Sequence, residues 1–412
     1  VEKSTEEAIH NGGITYAGFE CHHRLFIEKA KVHSCWMLLK HCGYNDDLRL
    51  KPELYALDLE VSPDQAVELS FAAIEFLRDI FNMFADQGLL YFRDIDEIFA
   101  TMPDGCPWKN IEKRIPLNNN TITFESWIGL WAMQLMLDYK STLEAMKYMG
   151  FEQPVEEAVT VSKRRYGNFN ELFKSSQKKI FRCYVFGSLG VGKSCLLDAM
   201  IEKDFSDKTR ANIAERSVCN YRKLDKKTGL PIYICMTEFP DFEIDDMLNN
   251  PEKLYCCDCA LVLYDGTKES LLYAREIVQN LPEEIPRILV NSKSDNVFLG
   301  QQSVSQELEE ITRSLNMMKH VRISCKNKKI SHLLDVLTEV LPNPSKCYPP
   351  DVYRRVRMKT RNQMERFTRF FFSVGGLLIF AYLSYAKLDK LTAYLQQLRT
   401  LFTSLLGGIK WQ

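Results

Sequence analysis

Residues 184–201, YVFGSLGVGKSCLLDAMI, constrain the fold of this chain more than any other stretch. They contain the pattern G-x-x-x-x-G-K-S from Gly187 to Ser194, after an apolar run and before a helix-forming one. A buried strand, a glycine-permitted loop and a helix N-terminus in this order aim backbone N–H groups and the positive end of the helix dipole at a phosphate chain. Lys193 would then reach the β- and γ-phosphates, and Ser194 would bind Mg²⁺. The stretch therefore predicts nucleotide binding.

Downstream of residue 180, apolar strand-like runs alternate with helical stretches. This alternation is typical of a mainly parallel sheet covered by helices on both faces. The sequence therefore predicts a multidomain chain in which an α/β nucleotide-binding domain occupies residues 180–345. Its predicted strands are 181–186, 233–237, 260–264, 288–291 and 321–324.

Two later loops carry the residue types that recognise a guanine base. Residues 292–295 read S-K-S-D and resemble the N/T-K-x-D motif of Ras-like GTPases, with Ser292 in place of the usual Asn. In that motif Asp accepts hydrogen bonds from guanine and the Lys stem packs on the base. Residues 324–326, S-C-K, resemble the S-A-K loop that contacts the guanine oxygen, and residues 264–270 resemble a Y-D-x-T-x-x-S stretch. Four such signatures in the right order predict a Ras-like domain selective for guanine. The predicted nucleotide-binding residues are Gly187, Ser188, Leu189, Gly190, Val191, Gly192, Lys193, Ser194, Cys195, Lys293, Asp295, Ser324, Cys325 and Lys326.

The sequence evidence for GTP hydrolysis is weaker than the evidence for nucleotide binding. Ras-like proteins carry D-x-x-G after the second long strand, where Asp supports Mg²⁺ and Gly binds the γ-phosphate. Here residues 238–241 read E-F-P-D, so Glu238 would take the Asp role through water, and no Gly follows. No Gln stands where it would orient an attacking water, although slow hydrolysis is possible without one. Thr209 and Ser217 are both candidates for the first-switch hydroxyl.

Two segments of the N-terminal region resemble each other, one starting at Gly12 and the other at Asn120. Each has a short β-like triplet (14–16 and 122–124), then a helix with aromatic spacing, then a second helix that ends at Gly before an aromatic residue. The match predicts two related helix-pair units within residues 1–152. Chance similarity between amphipathic helices is the alternative.

Residues 76–103 have the outline of an EF-hand, with Gly88 at the sharp turn and Asp94 at the closing position of the loop. The first, third and fifth loop positions are Met83, Ala85 and Gln87. Calcium requires several oxygen ligands there, mostly carboxylates. The sequence therefore predicts an EF-hand scaffold whose 83–94 loop binds no calcium. An ordinary helical hairpin that never bound metal is the alternative.

Composition narrows the functional classes. Charged residues make up 26% of the 412, and the formal net charge is −1, so no basic field predicts nucleic-acid binding. The 13 cysteines are scattered, which favours a reducing compartment over a disulfide framework. The CxxC at residues 256–259 leads into a predicted strand and has no second ligand pair, so it is interpreted as core rather than as a metal site.

Residues 370–386 are apolar and uncharged. As a helix they would span roughly 25 Å, slightly less than the ~30 Å hydrocarbon core of a bilayer. Basic residues in the arm at 346–369 precede the run, which favours a cytosolic N-terminal side. We expect a transmembrane anchor at 370–386 and an amphipathic, surface-lying helix in the tail, 387–412. A buried core helix is the alternative.

Taken together, these features resemble the mitochondrial Rho GTPase (Miro) family. The most specific local matches are residues 158–161 (A-V-T-V), 181–183 (F-R-C) and 293–295 (K-S-D). The resemblance implies EF-hand modules, a C-terminal GTPase domain that binds GTP or GDP with Mg²⁺, and a single-pass anchor in the mitochondrial outer membrane. It also implies motor-adaptor proteins as partners in mitochondrial transport. The predicted boundaries are 1–152 for the EF-hand-like region, 153–179 for a linker, 180–345 for the GTPase domain, 346–369 for the basic arm, 370–386 for the anchor and 387–412 for the tail.

The chain departs from that family in three ways. The N-terminal GTPase domain and first calcium loop of the family have no counterpart here, so we expect a shortened form or a fragment. The remaining calcium loop lacks its ligands, and the tail is longer than usual. Two functions therefore compete: a slow GTPase that links mitochondria to the transport machinery, and a non-hydrolysing GTP-binding scaffold on the same membrane.

Overall fold

A computed structural model describes residues 8–10, 13–55, 65–163, 178–206, 213–223, 231–282, 284–295, 301–315, 317 and 320–348. All of them belong to one compact unit, Val1–Pro349. The predicted anchor and tail, and Thr209, lie outside the described residues. Within the described part of the chain, no helix is long and apolar enough to cross a bilayer.

The N-terminal region is a helical module with six α-helices in its described residues. They are α1 (Tyr16–Glu28), α2 (Val32–His41), α3 (Phe71–Phe84), α4 (Phe92–Ile98), α5 (Phe124–Leu137) and α6 (Tyr139–Tyr148). Two short strand pairs accompany them: β1 (Ile9–His10) with β2 (Gly13–Ile14), and β3 (Gln65–Leu69) with β4 (Val159–Lys163), both antiparallel. β4 lies in the segment predicted as a linker, so part of that segment closes the helical module.

The two repeated segments fold as similar helix pairs, α1–α2 and α5–α6. Thr15 and Thr123 cap the first helix of each pair with their side chains, and Gly43 and Gly150 follow the second helix with positive φ. The predicted β-like triplets are shorter than expected, because their aromatic residues are already the first residues of α1 and α5. A threonine hydroxyl that caps a free helix N–H explains why each helix begins there.

The EF-hand outline is present as α3, a turn and α4. Leu90 in its loop exchanges two backbone hydrogen bonds with Ile122, Leu90 N to Ile122 O at 3.0 Å and Ile122 N to Leu90 O at 2.8 Å. The carboxylate of Asp94, at the closing position of the loop, accepts the Tyr91 N–H at 2.8 Å and so caps α4. Among the described residues, no cluster of three or more potential His, Cys, Asp or Glu ligands forms.

The second region is built on a six-stranded sheet in the order β10-β9-β8-β5-β7-β6. Every neighbouring pair is parallel except β6–β7. The mainly parallel sheet was predicted, with bounds within two residues for all five predicted strands, but the strand β6 was not predicted. The strands are β5 (Ile180–Phe186), β6 (Arg216–Lys223), β7 (Pro231–Glu238), β8 (Cys259–Tyr264), β9 (Arg287–Asn291) and β10 (Val321–Arg322). The helices are α7 (Lys193–Met200), α8 (Ile244–Leu248), α9 (Pro251–Tyr255), α10 (Lys268–Asn280), α11 (Gln301–Ser314) and α12 (Ser331–Val340).

The helical module packs directly against β6 and β7. Tyr233 and Cys235 of the sheet share one buried cluster with the tryptophans of α5, Trp127 and Trp131. The N–H of Cys219, on the outer strand β6, donates to Arg114 O at 2.8 Å. Because α5 is apolar on all sides and contacts both its own module and the sheet, the two regions share a hydrophobic core.

Candidate nucleotide site

The phosphate loop joins β5 to α7 through backbone conformations that favour glycine. Gly187 and Gly192 have φ of 150° and 106°. A Cβ on Gly187 would come within 2.8 Å of a Val191 methyl carbon and 2.9 Å of Leu263 O, so the loop closes tightly against β8 only because no side chain is present. Gly192 then leads into α7, which begins at Lys193. The loop therefore presents a helix N-terminus, the geometry that binds phosphate.

Lys193 is held inside this loop, with 8% of its side chain exposed. Its ammonium donates to Gly187 O at 2.7 Å and to Ser188 O at 3.2 Å. A third hydrogen bond, at 2.7 Å, goes to the carboxylate of Asp241. These contacts fix the ammonium over the mouth of the loop, where a phosphate chain would lie.

Ser194 and Glu238 lie together at the predicted Mg²⁺ position. The hydroxyl of Ser194 donates to Oε2 of Glu238 at 2.8 Å, and Glu238 is only 1% exposed. Burial raises the pKa of Glu238, while the hydrogen bond from Ser194 and the positive charges of Arg216 and Lys193 oppose that rise. A hydroxyl and a carboxylate are oxygen ligands of the kind that Mg²⁺ prefers, so the pair fits the ion.

Arg216 connects this position to the helical module. One guanidinium nitrogen lies 3.8 Å from Oε1 of Glu238, and the other donates to Asp198 on α7 at 2.6 Å. The latter nitrogen also lies 3.5 Å from the carbonyl oxygen of Lys113 in the helical module. The guanidinium thus bridges β7, α7 and the neighbouring module.

The side chain of Ser217, a candidate for the first-switch hydroxyl, points away from the predicted Mg²⁺ position. Its Oγ lies 2.9 Å from Oγ1 of Thr237, and Arg182 donates to the same threonine at 3.4 Å. Successive side chains of a strand point to opposite faces, so Thr237 and its neighbour Glu238 face opposite sides of the sheet. The hydroxyl of Ser217 therefore lies on the face away from Ser194.

Ser292 has a structural role that links two loops. Its hydroxyl, 4% exposed as a residue, lies 2.6 Å from Val191 O in the phosphate loop and 3.1 Å from Tyr264 O at the end of β8. Its backbone N–H also donates to Tyr264 O, at 2.9 Å. The small hydroxyl at the position where Ras-like proteins carry Asn therefore ties the phosphate loop to the base-reading loop.

Lys293 pairs with the Y-D-x-T-x-x-S segment. Its ammonium lies 3.2 Å from Asp265, whose carboxylate also accepts the hydroxyls of Thr267 at 2.8 Å and Ser270 at 2.6 Å. Burial opposes ionisation of Asp265, but the hydrogen bonds from Ser270, Thr267 and Lys293 outweigh it and lower its pKa to about 2. Asp265 thus fixes the stem of Lys293 beside the start of α10, while Asp295 is exposed at the end of the same loop.

The 324–326 loop lies against this motif. Ser324 is buried, and its backbone forms isolated antiparallel β-bridges with Lys293 and Lys329. Lys326 is exposed. Cys325 is buried, and burial together with the nearby charges of Cys195 and Asp295 raises the pKa of its thiol to about 12. The thiol packs in the hydrophobic cluster beside the 324–326 loop.

A small cavity next to this loop has an aromatic side chain in its lining. Cys195, Cys325 and Phe205 line it together with Lys203. An aromatic face beside the base-reading loop is suited to pack against a base. Phe205 belongs to no motif, so only its distance along the chain from the phosphate loop could have drawn attention to it.

The predicted site residues follow β5, β7, β9 and β10, and the carboxyl ends of parallel strands meet at one edge of a sheet. The phosphate loop, Glu238, the 292–295 loop and the 324–326 loop are therefore brought together. Leu189 lies at the exposed tip of the phosphate loop. The arrangement suits a nucleotide whose phosphates lie at the N-terminus of α7 and whose base lies toward Lys293.

Comparison with known families agrees with this architecture. Models described as "EF hand associated" match residues 1–73 and 108–170, and the "Ras family" model matches residues 182–341. The structure and these matches confirm an EF-hand-associated helical region followed by a Ras-like domain.

Curated relatives extend the similarity over most of the chain. "Mitochondrial Rho GTPase 2" of Arabidopsis thaliana is 29% identical over 396 residues, 92% of this chain and 60% of that protein. Proteins named "Mitochondrial Rho GTPase 1" from Neurospora crassa and Saccharomyces cerevisiae are each 28% identical, over 85% and 82% of this chain and 57% and 52% of theirs. The chain thus spans between about half and three fifths of the length of these relatives.

Proposed function

We propose that this chain, a member of the mitochondrial Rho GTPase family, binds GTP or GDP with Mg²⁺ at the edge of its Ras-like sheet and hydrolyses GTP slowly. The observation that carries the proposal is the placement of Lys193 over the mouth of a helix-terminated loop, beside the Ser194–Glu238 pair. The base-reading loops end at the same edge, which supports guanine as the base.

Each residue has a distinct role in this proposal. Lys193 neutralises the β- and γ-phosphates, and the N–H groups of the loop bind their oxygens. Ser194 holds Mg²⁺, and Glu238 supports the ion directly or through water. The stem of Lys293 packs on the base, and the carboxylate of Asp295 accepts its N–H groups.

The rate of hydrolysis is the point on which two functions diverge. Asp241 stands where Ras-like proteins carry the glycine of D-x-x-G, and the residue after it is Phe242, 72% exposed. A phenyl ring cannot orient an attacking water by hydrogen bonding. This observation favours the second candidate function, a GTP-binding scaffold that does not hydrolyse, while the complete phosphate loop favours the slow GTPase.

A single-turnover assay decides between the two. The purified full chain is used, because the sheet shares its core with the helical module. The protein is loaded with GTP, excess nucleotide is removed, and phosphate release is followed with and without Mg²⁺. We expect slow, Mg²⁺-dependent release that is absent from a parallel preparation of Lys193→Ala. Bound GTP that persists unhydrolysed would establish the scaffold instead.

The proposal extends to the mitochondrial outer membrane, with the N-terminal side in the cytosol and motor-adaptor proteins as partners. It is supported by the names of the relatives and by the apolar sequence of residues 370–386, which lie outside the described residues. A chain that stops at residue 369 should be released by carbonate extraction of mitochondria, whereas the full chain should stay in the membrane. Retention of the shortened chain would contradict the anchor.

A further inference from the structure

Asp241 occupies a defined position beside the phosphate loop. It follows the end of β7 by three residues and begins the 3-10 turn Asp241–Glu243, which leads into α8. Buried residues anchor the chain on both sides: Phe239 packs 4.9 Å from the ring of Tyr184, and Ile244 is buried in the same cluster. The backbone at Asp241 is therefore fixed between two core anchors.

The contact with Lys193 completes the coordination of its ammonium. An ammonium has three N–H donors, and here the three acceptors are Gly187 O, Ser188 O and the Asp241 carboxylate. The two carbonyls belong to the loop itself. A phosphate that binds Lys193 therefore replaces the carboxylate of Asp241, which presents the same charge sign and the same oxygen acceptors.

The surrounding sequence strengthens the competition. Residues 238–246, EFPDFEIDD, contain five carboxylates and no basic residue. A displaced Asp241 remains on this anchored, acidic segment, next to the terminal phosphate. GTP brings more negative charge next to this acidic segment than GDP does, and repulsion between like charges at short distance weakens its binding.

We propose that Asp241 is a specificity-determining residue that competes with the terminal phosphate for Lys193 and so lowers the affinity of the site for GTP relative to GDP. This inference rests on the nucleotide binding proposed above.

The test compares Asp241→Asn with Asp245→Asn in the full chain. Asp245 lies on the same segment and is exposed, so its substitution removes the same charge without touching Lys193. Affinities for GTP and GDP are measured by competition against a fluorescent GDP analogue. Because a charge-assisted hydrogen bond no longer opposes binding, we expect Asp241→Asn to bind GTP about tenfold more tightly, with a smaller gain for GDP.

A second variant, Asp241→Gly, removes the side chain entirely and should raise GTP affinity at least as much. It replaces the asparagine variant if that protein does not fold. GTP affinities of the Asp241 variants within twofold of Asp245→Asn, an equal gain for both nucleotides, or a loss of GTP binding would each overturn the inference. If the unsubstituted chain binds neither nucleotide, nucleotide binding itself fails, and the role of Asp241 fails with it.

Discussion

Replacing Ser292 with alanine should loosen the phosphate loop. The substitution removes a buried hydroxyl that lies within hydrogen-bonding distance of Val191 O and Tyr264 O. Tyr264 O keeps the N–H of residue 292, but Val191 O loses this donor. The loss of a net hydrogen bond and the partly unsatisfied acceptor together cost about 1–2 kcal/mol. That cost corresponds to a fall in Tm of roughly 1–3 °C for the unit Val1–Pro349, because the unfolding entropy grows with the number of residues.

The matched control is Ser294→Ala. Ser294 is exposed in the same loop and contributes its backbone N–H, which donates to Ile323 O at 3.0 Å and is retained in alanine. Thermal unfolding followed by circular dichroism compares the two variants. Affinity for GDP should also fall in Ser292→Ala alone, because the phosphate loop must be ordered again on binding. Identical Tm and affinity in the two variants would refute the structural role assigned to Ser292.

Three further predictions follow from the site and the helical module. Asp265→Asn should lower Tm at neutral pH. Because the pKa of Asp265 in the folded chain is lowered to about 2, its carboxylate contributes fully to stability above about pH 4. In thermal scans, the Tm difference from the unsubstituted chain should shrink as the pH falls from about 4 toward about 2. Glu238→Gln should weaken Mg²⁺ binding roughly tenfold, measured as the Mg²⁺ concentration that slows GDP release, since a charged oxygen ligand is lost; an unchanged Mg²⁺ dependence would remove Glu238 from the site. Titration calorimetry should detect no binding of micromolar calcium to the 83–94 loop, and a signal that Asp94→Ala abolishes would contradict this.

The buried strands could be predicted because their sequences are continuous apolar runs. β5, β8 and β9 are covered by helices on both faces, so nearly every residue in them is buried. β6 could not be predicted in the same way. Its sequence, RSVCNYRK, is largely polar, and its place depends on antiparallel pairing with β7 and on the helical module, which supplies Arg114 O as a partner. β3 and β4 are five residues each and pair across a long stretch of sequence, so local patterns carry no signal for them.

Some residues of the candidate site could likewise be predicted from the sequence, and others could not. The phosphate loop and the 292–295 loop carry spacings that chemistry restricts, so they were predicted residue by residue. Arg216 and Phe205 belong to no motif, and Asp241 shows in the sequence only as a departure from D-x-x-G. The fold brings all three near the predicted site from separate segments. The role of Ser292 could not be predicted either. In the sequence it is only a serine where the motif has asparagine, and its contacts with Val191 O and Tyr264 O are visible only in the structure.

Guanine selectivity is the most direct test of the account as a whole. The measurement is the displacement of a fluorescent GDP analogue from the full chain by unlabelled GTP and by ATP, repeated with Asp295→Asn. We predict displacement by GTP at concentrations far below those needed for ATP, and a reduced preference in Asp295→Asn because the carboxylate acceptors for guanine are lost. Equal displacement by GTP and ATP, or an unchanged preference in Asp295→Asn, would contradict the assignment of a guanine-nucleotide site.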